Sequence, residues 1–205
     1  MDAFTRLTGI AAPMDQINVD TDQLTPARFI GGGQRAGMGD MLLHDHRFNE
    51  DGSEKADFIL NQEPFRHAKI LVADTNFGCG SSRESAVTAL YAYGFRSVIA
   101  PSFGDIFHSN AAKNGLLAVR LDAPTCASIR AALHASPGAE ITIDLESQTV
   151  TDPGKSKRIH RFEFDPFQKH CMLNGLDDIG LTLALDDEIK AYEARHRQEM
   201  SWLYR

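Results

Sequence analysis

Apolar positions along the chain change period several times, and each change marks a different kind of element. Ile70–Ala73 is an unbroken apolar run of strand length. Ser81–Tyr93 then places Ala86, Ala89, Leu90 and Tyr93 at helical spacing, with Gly94 as a C-terminal stop. Val98-Ile99-Ala100 predicts the next strand, ended by Pro101. Phe103, Ile106, Phe107 and Ala111 set a second helix that stops at Asn114-Gly115, and Leu116–Leu121 is a third strand. Strand, helix, strand, helix, strand with short links predicts crossover helices over a parallel sheet.

The flanking stretches read differently. After Pro124 the spacing predicts a helix through His134, closed by Pro137-Gly138. Ile141, Ile143 and Leu145 alternate, Ile159, Phe162 and Phe164 give a second such segment, and the turn Asp152-Pro153-Gly154 lies between them, so antiparallel strands are expected. A short helix follows Pro166, and Asp186 opens a terminal helix with Ile189, Tyr192 and Glu193 near one face. The closing Trp202-Leu203-Tyr204 suits either covering the core or touching a partner. Residues 1–66 are rich in turn formers and show no sustained period: Ile17–Asp22 alternates briefly before Pro26, and Gly31, Gly32, Gly33, Gly37 and Gly39 predict a mobile loop. Residues 45–66 read as surface connection with a short helix near Phe58-Ile59-Leu60.

Length and charge narrow the partners. At 205 residues the chain is expected to be one domain, with a helical extension over 186–205. A net charge of -7 argues against nucleic acid or an anionic membrane as partner. No run approaches the roughly 18 apolar residues of a membrane span, and the opening residues lack a secretory pattern. Cys79, Cys126 and Cys171 are odd in number and widely spaced, which fits a reducing cytoplasm and no disulfide framework. Their spacing holds no iron–sulfur cluster by itself.

The candidate chemistry gathers at Asn76-Phe77-Gly78-Cys79-Gly80-Ser81-Ser82-Arg83-Glu84, a glycine-rich strand-to-helix turn. Backbone N–H groups and the helix dipole at such a turn favour an anion. The details exclude a dinucleotide fingerprint, since Arg83 stands where the third glycine belongs, and they exclude a Walker loop and a Gly-x-Ser-x-Gly elbow. Ser81-x-x-Glu84 has capping-box spacing, so a merely capped helix is the competing reading. Arg83 shifts the balance: a cation in a first helical turn opposes the dipole unless an anion is to be bound, and its fork matches a carboxylate or phosphate. Cys79 sits where a thiolate is favoured, although a small buried residue is the alternative. His44-Asp45-His46, on a strand, would turn both rings to one face, but no third metal ligand is evident; His170-Cys171 reads as structural. Asp20 and Asp22, two apart on an extended segment, face one side and either form a turn or position a catalytic group.

Asn18-Val19-Asp20-Thr21-Asp22, Asn76–Glu84, Ile99-Ala100-Pro101-Ser102-Phe103 with Asp105-Ile106-Phe107, and His170–Asp177 followed by Ile179–Leu183 together resemble the bacterial 3-isopropylmalate dehydratase small-subunit family. The resemblance spans essentially the whole chain, and the same turn occurs in the swivelling domain of aconitases. It implies an α/β fold, a three-layer β/β/α swivelling domain with a central parallel sheet and additional antiparallel strands. It implies a hydro-lyase of leucine biosynthesis, active only with a large subunit that carries a 4Fe-4S cluster, this chain binding no cofactor or metal of its own. By similarity Ser81 is the base, Arg83 and Ser82 bind a small hydroxy-dicarboxylate, and Asp22 is the acidic residue near the site. Arg35, in the loop within residues 13–40 that reads the substrate, is a candidate second carboxylate contact. Two departures stand out: Ser85 follows Arg83-Glu84 where the family carries histidine, and Ala27 follows Pro26 where many relatives carry lysine. They leave open a paralogue acting on 2-methylmalate or dimethylmalate. A non-catalytic anion-binding regulatory module and a standalone Cys79 enzyme are the other readings.

Overall fold

The computed structural model describes residues 1–29, 37–154 and 157–204. Among them the strands are β1 (Arg6–Pro13), β2 (Ile70–Val72), β3 (Ser97–Ala100), β4 (Leu117–Arg120), β5 (Glu140–Asp144), β6 (Thr149–Thr151) and β7 (Ile159–Arg161). Three short helices, α1 (Thr21–Leu24), α2 (Met38–Met41) and α3 (His44–Arg47), precede α4 (Glu84–Tyr93), α5 (Asp105–Lys113) and α6 (Ala123–Ala135). The chain then adds α7 (Pro166–Asn174), α8 (Asp178–Leu183) and α9 (Asp186–Glu199). The strands lie in the order β4-β3-β2-β1-β5-β6-β7, parallel from β4 to β1 and antiparallel from β1 to β7.

β1 is the strand that the turn-rich reading of residues 1–66 passed over. Gly9 and the small pair Ala11-Ala12 carry little apolar signal, and Pro13 ends the run. The strand is nevertheless the pivot of the sheet: Arg6–Ile10 pair with β5, whereas Ala11–Pro13 pair with β2. Each half of one strand thus belongs to a different ladder.

Strand alternation then builds two cores. Leu71, Val98, Ala100 and Ala118 face one side, where α4 and α5 contribute Ala86, Val87, Leu90, Phe107 and Ala111. Ile70, Val72, Ile99, Leu117 and Val119 face the other side, where they share a cluster with Ile141, Ile143 and Val150 of the antiparallel half. Cys126, Ile129 and Leu133 of α6 complete that second cluster. One continuous sheet, parallel in one half and antiparallel in the other, therefore carries a core on each face, as expected of a mixed α/β fold, each fully buried Leu or Ile contributing about 1.5–3 kcal/mol by transfer from water.

The C-terminal segment takes no part in either core. α9 has no buried residue, and Trp202 and Leu203 remain 62% and 63% exposed, so the terminal aromatic cluster does not cover the core. No helix of the described residues is long and apolar enough to cross a membrane.

Candidate active site

β1 and β2 run side by side and release their chains at the same end of the sheet, the carboxyl end where open α/β sheets bind ligands. The chain leaving β1 reaches α1, which Asp20 caps by accepting the Gln23 N–H at 2.7 Å. The chain leaving β2 makes the Phe77–Arg83 turn and enters α4. The two exits are stitched together. The Gly78 N–H donates to the Val19 carbonyl at 2.7 Å, and the Thr21 N–H donates to the Cys79 carbonyl at 2.9 Å. The Thr21 hydroxyl donates to the Ser81 carbonyl at 3.0 Å, and the Thr25 hydroxyl to the Ser85 carbonyl at 3.2 Å.

Glycine is required at one position of this turn. Gly78 has φ +70°, and a Cβ there would lie 2.3 Å from Cγ of Phe107. The adjoining wall is equally close, since a Cβ on Gly104 would lie 2.5 Å from the Gly78 carbonyl oxygen.

Arg83 and Asp22 meet across the crevice. Nη1 of Arg83 donates to the Asp22 carboxylate and, at 3.2 Å, to the Thr25 carbonyl. The Arg83 side chain is only 16% exposed while Asp22 is 59% exposed. The ion pair therefore fixes a largely buried side chain by one nitrogen of its guanidinium. Its Nε and Nη2 have no hydrogen-bond partner among the described residues. Ser81 and Ser82 are exposed beside it. The Ser81 hydroxyl has no histidine or carboxylate partner among the described residues, so no hydrolase-type dyad is assembled here. The Ser85 hydroxyl is buried without a partner among the described residues.

Several expectations are corrected by this geometry. α4 begins at Glu84, not Ser81; Arg83 occupies the N-cap position with extended backbone (φ -130°, ψ 101°), and its side chain makes no cap hydrogen bond. The capping box fails because the Ser81 segment is held by α1 rather than wound into the helix. Asp22 lies in the helix α1 and not on an extended segment; Asp20 caps that helix and Asp22 meets Arg83. Burial, followed by the nearby Asp20 charge, raises the Cys79 thiol above its ordinary range. This is the opposite of the thiolate the turn suggested, and it removes support for a Cys79 nucleophile. His44-Asp45-His46 lies on the short helix α3, not on a strand, and Asp45 pairs with Arg28. Among the described residues no group of three or more His, Cys, Asp or Glu is placed to hold a metal ion. Arg35 lies outside the described residues.

The sequence reading missed Thr21 and Thr25. Both are 1% exposed, and their hydroxyls fasten the Ser81–Ser85 segment. Nothing in their local sequence announces that role, because their partners lie 60 residues away.

Comparison with known proteins agrees with the fold. The model of the aconitase C-terminal domain matches residues 1–124, and that of the C-terminal domain of the 3-isopropylmalate dehydratase small subunit matches residues 178–205. The 3-isopropylmalate dehydratase small subunit of Rhodospirillum centenum is 50% identical over 203 residues, covering 98% of each chain. That of Gluconobacter oxydans is 48% identical over 203 residues, covering 99% of this chain and 96% of the relative. Among solved structures, 3-isopropylmalate dehydratase from Methanocaldococcus jannaschii superposes with a TM-score of 0.65 at 23% identity, over 92% of this chain and 99% of that one, a likeness of fold. At half identity over 98% of its length, the chain belongs to the 3-isopropylmalate dehydratase small-subunit family.

Proposed function

We propose that this chain is the small subunit of a hydro-lyase that interconverts 2-isopropylmalate and 3-isopropylmalate through 2-isopropylmaleate, a step of leucine biosynthesis. The observation that carries the reading is the largely buried Arg83 side chain beside Ser81, held by Asp22 through Nη1, with Nε and Nη2 unpartnered among the described residues. The relatives' names favour isopropylmalate over the smaller or dimethylated malates.

The roles follow from that arrangement. The free Nε–Nη2 edge of Arg83 takes one substrate carboxylate as a planar fork. Asp22 orients the guanidinium, and Ser82 adds a hydrogen bond to the same carboxylate. Ser81, as its alkoxide, removes the proton from the carbon next to a carboxylate, and the hydroxyl on the neighbouring carbon leaves as water with the proton released when the alkoxide formed. Rehydration of the alkene with the positions exchanged completes the isomerisation. An exposed serine is not a base in water. The Arg83 charge, backbone N–H groups and exclusion of solvent make its alkoxide accessible, and exclusion of solvent requires a second protein surface over the crevice.

That surface is assigned to a large subunit, which is also where the 4Fe-4S cluster belongs. The cysteines of this chain do not fit a cluster: Cys126 and Cys171 are buried in separate helices, and burial pushes the Cys126 thiol up to about 11. No step is routed through this chain's thiols.

The test is anaerobic co-purification with the large subunit, following alkene formation from 2-isopropylmalate beside 2-methylmalate and dimethylmalate. The expected result is no turnover by the isolated chain, turnover by the complex and preference for isopropylmalate. Ser81→Ala is expected to lower kcat about 10²–10⁴-fold, the usual contribution of a positioned base. Activity within a few-fold of wild type in that variant removes Ser81 from the role. Preference for a smaller malate moves the substrate and leaves the mechanism.

A further inference from the structure

Behind the crevice a single buried arginine joins both of its walls. Arg130, on α6, is 7% exposed. Its Nε donates to Asp15 at 2.9 Å, Nη1 to the Ala73 carbonyl at 2.9 Å and Nη2 to Asp74 at 2.5 Å. Asp15 lies two residues beyond the end of β1 and Asp74 two residues beyond the end of β2. One guanidinium therefore clamps the two chain segments at the point where they leave the sheet for Asp22 and for Ser81–Arg83.

The clamp continues outward as a chain of hydrogen bonds. The second oxygen of Asp74 accepts the Thr75 N–H at 2.7 Å and the Thr75 hydroxyl at 3.1 Å. The Thr75 carbonyl accepts the Asn18 N–H at 3.0 Å. The Asn76 amide then donates to the Asn18 side-chain oxygen at 2.9 Å, and the Asn76 N–H donates to the Ser102 hydroxyl at 2.9 Å. Asn18 and Asn76 both hold left-handed backbone, with φ +55° and +63°. Asparagine tolerates that region through local hydrogen bonding of its short amide, and here the two amides bond one another across the crevice. His134, one turn along α6 from Arg130, contacts the other oxygen of Asp15 at 2.6 Å and braces it from outside.

The geometry points to Arg130 as a positioning residue for the reaction assigned above: through Asp15, Asp74 and the Asn18–Asn76 pair it sets the separation of Asp22 from the Ser81–Arg83 turn. It touches no substrate. The inference rests on the proposed function for its kinetic consequence, but not for its structural one. An arginine is needed because three acceptors on two segments are met by one planar fork, whereas an ammonium is a single point charge.

The test uses Arg130→Lys and Asp74→Asn in the full chain and in its complex with the large subunit. Asn at position 74 retains an oxygen for Thr75 while facing Arg130 with an amide, so it cuts one link. In the isolated chain, hydrogen exchange of the Gly78 and Thr21 amides, which bridge the two walls, is expected to accelerate about tenfold or more in either variant, while the β3 and β4 amides keep their protection. In the complex, kcat for 2-isopropylmalate is expected to fall about tenfold at temperatures where both variants are fully folded, with the double variant less than additive. Unchanged exchange at Gly78 and Thr21, or acceleration uniform across the sheet, overturns the positioning role. Local acceleration with kcat within twofold of wild type also overturns it, since the clamp then has no catalytic consequence. A wild-type complex without activity on 2-isopropylmalate rejects the proposed function, and the exchange result alone then decides whether Arg130 holds the crevice.

Discussion

The crevice between α1 and the Phe77–Arg83 turn and the segment from Asp186 to Tyr204 are held in opposite ways. In the crevice the decisive contacts are remote in sequence: Thr21 with Ser81 across 60 residues, Arg83 with Asp22 across 61 and Arg130 with Asp15 across 115. In the C-terminal segment they are local: Lys190 with Asp186, Tyr192 stacked on His196 at 5.5 Å, and the His196 ring with the Tyr204 hydroxyl at 2.7 Å. The first set ties parts of the chain that would otherwise diffuse apart, so it fixes a geometry. The second set shapes a helix and its end without anchoring them to either core. The chemistry proposed for Arg83 and Ser81 depends on their precise placement and so belongs in the first kind of region. A surface carrying Tyr192, Trp202 and Leu203 in the open belongs in the second.

The comparison breaks most readily at Gly78. Alanine there combines a left-handed backbone with a 2.3 Å approach to Phe107. Gly78→Ala is expected to cost about 2–4 kcal/mol and to abolish turnover in the complex. Urea unfolding of the isolated chain checks the stability, and a loss below about 0.5 kcal/mol would mean the turn relaxes at little cost.

A smaller effect tests the electrostatics of the same turn. Burial first, and the Asp20 charge second, raise the Cys79 thiol, so at a given pH less of it is thiolate. Alkylation of the native chain by iodoacetamide should therefore be slow near neutrality and rise at alkaline pH. Asp20→Asn keeps an N-cap side chain and removes the anion that opposes the thiolate. The pH at which alkylation accelerates should move down, and the rate at pH 8 should rise several-fold. An unshifted profile would leave burial as the whole cause.

The smallest expected effect lies in the C-terminal segment. Ending the chain after Ala184 removes no residue of either core. The melting temperature is expected to change by no more than about 2–4 °C, the equivalent of roughly 1 kcal/mol at this size. A larger fall would show that α9 is anchored more firmly than its exposure indicates.

Much of the parallel half was legible in advance because its information is local. Apolar runs at 70–73, 98–100 and 116–121, the helices between them and the helix from Pro124 to His134 all emerged close to the expected positions. β1 did not, because a pivot strand made of Gly9, Ala11 and Ala12 is specified by its two neighbours rather than by its own side chains. The start of α4 was misplaced for a related reason: Ser81-x-x-Glu84 satisfies a local rule that the tertiary contacts of Thr21 and Thr25 override.

The sequence alone determined the element types of the middle of the chain, the glycine-rich turn with its serine and arginine, and the family those motifs resemble. The tertiary structure decided that Asp22 meets Arg83, that Asp20 serves a helix cap, that burial and the Asp20 charge raise the Cys79 thiol, and that Arg130 stands behind the crevice. Side-chain periodicity reports how a segment will bury itself, and it is written within about ten residues. An ion pair between residues 61 apart is written nowhere locally. It exists because two parallel strands leave the sheet side by side and bring the residues beyond their ends within reach of one another.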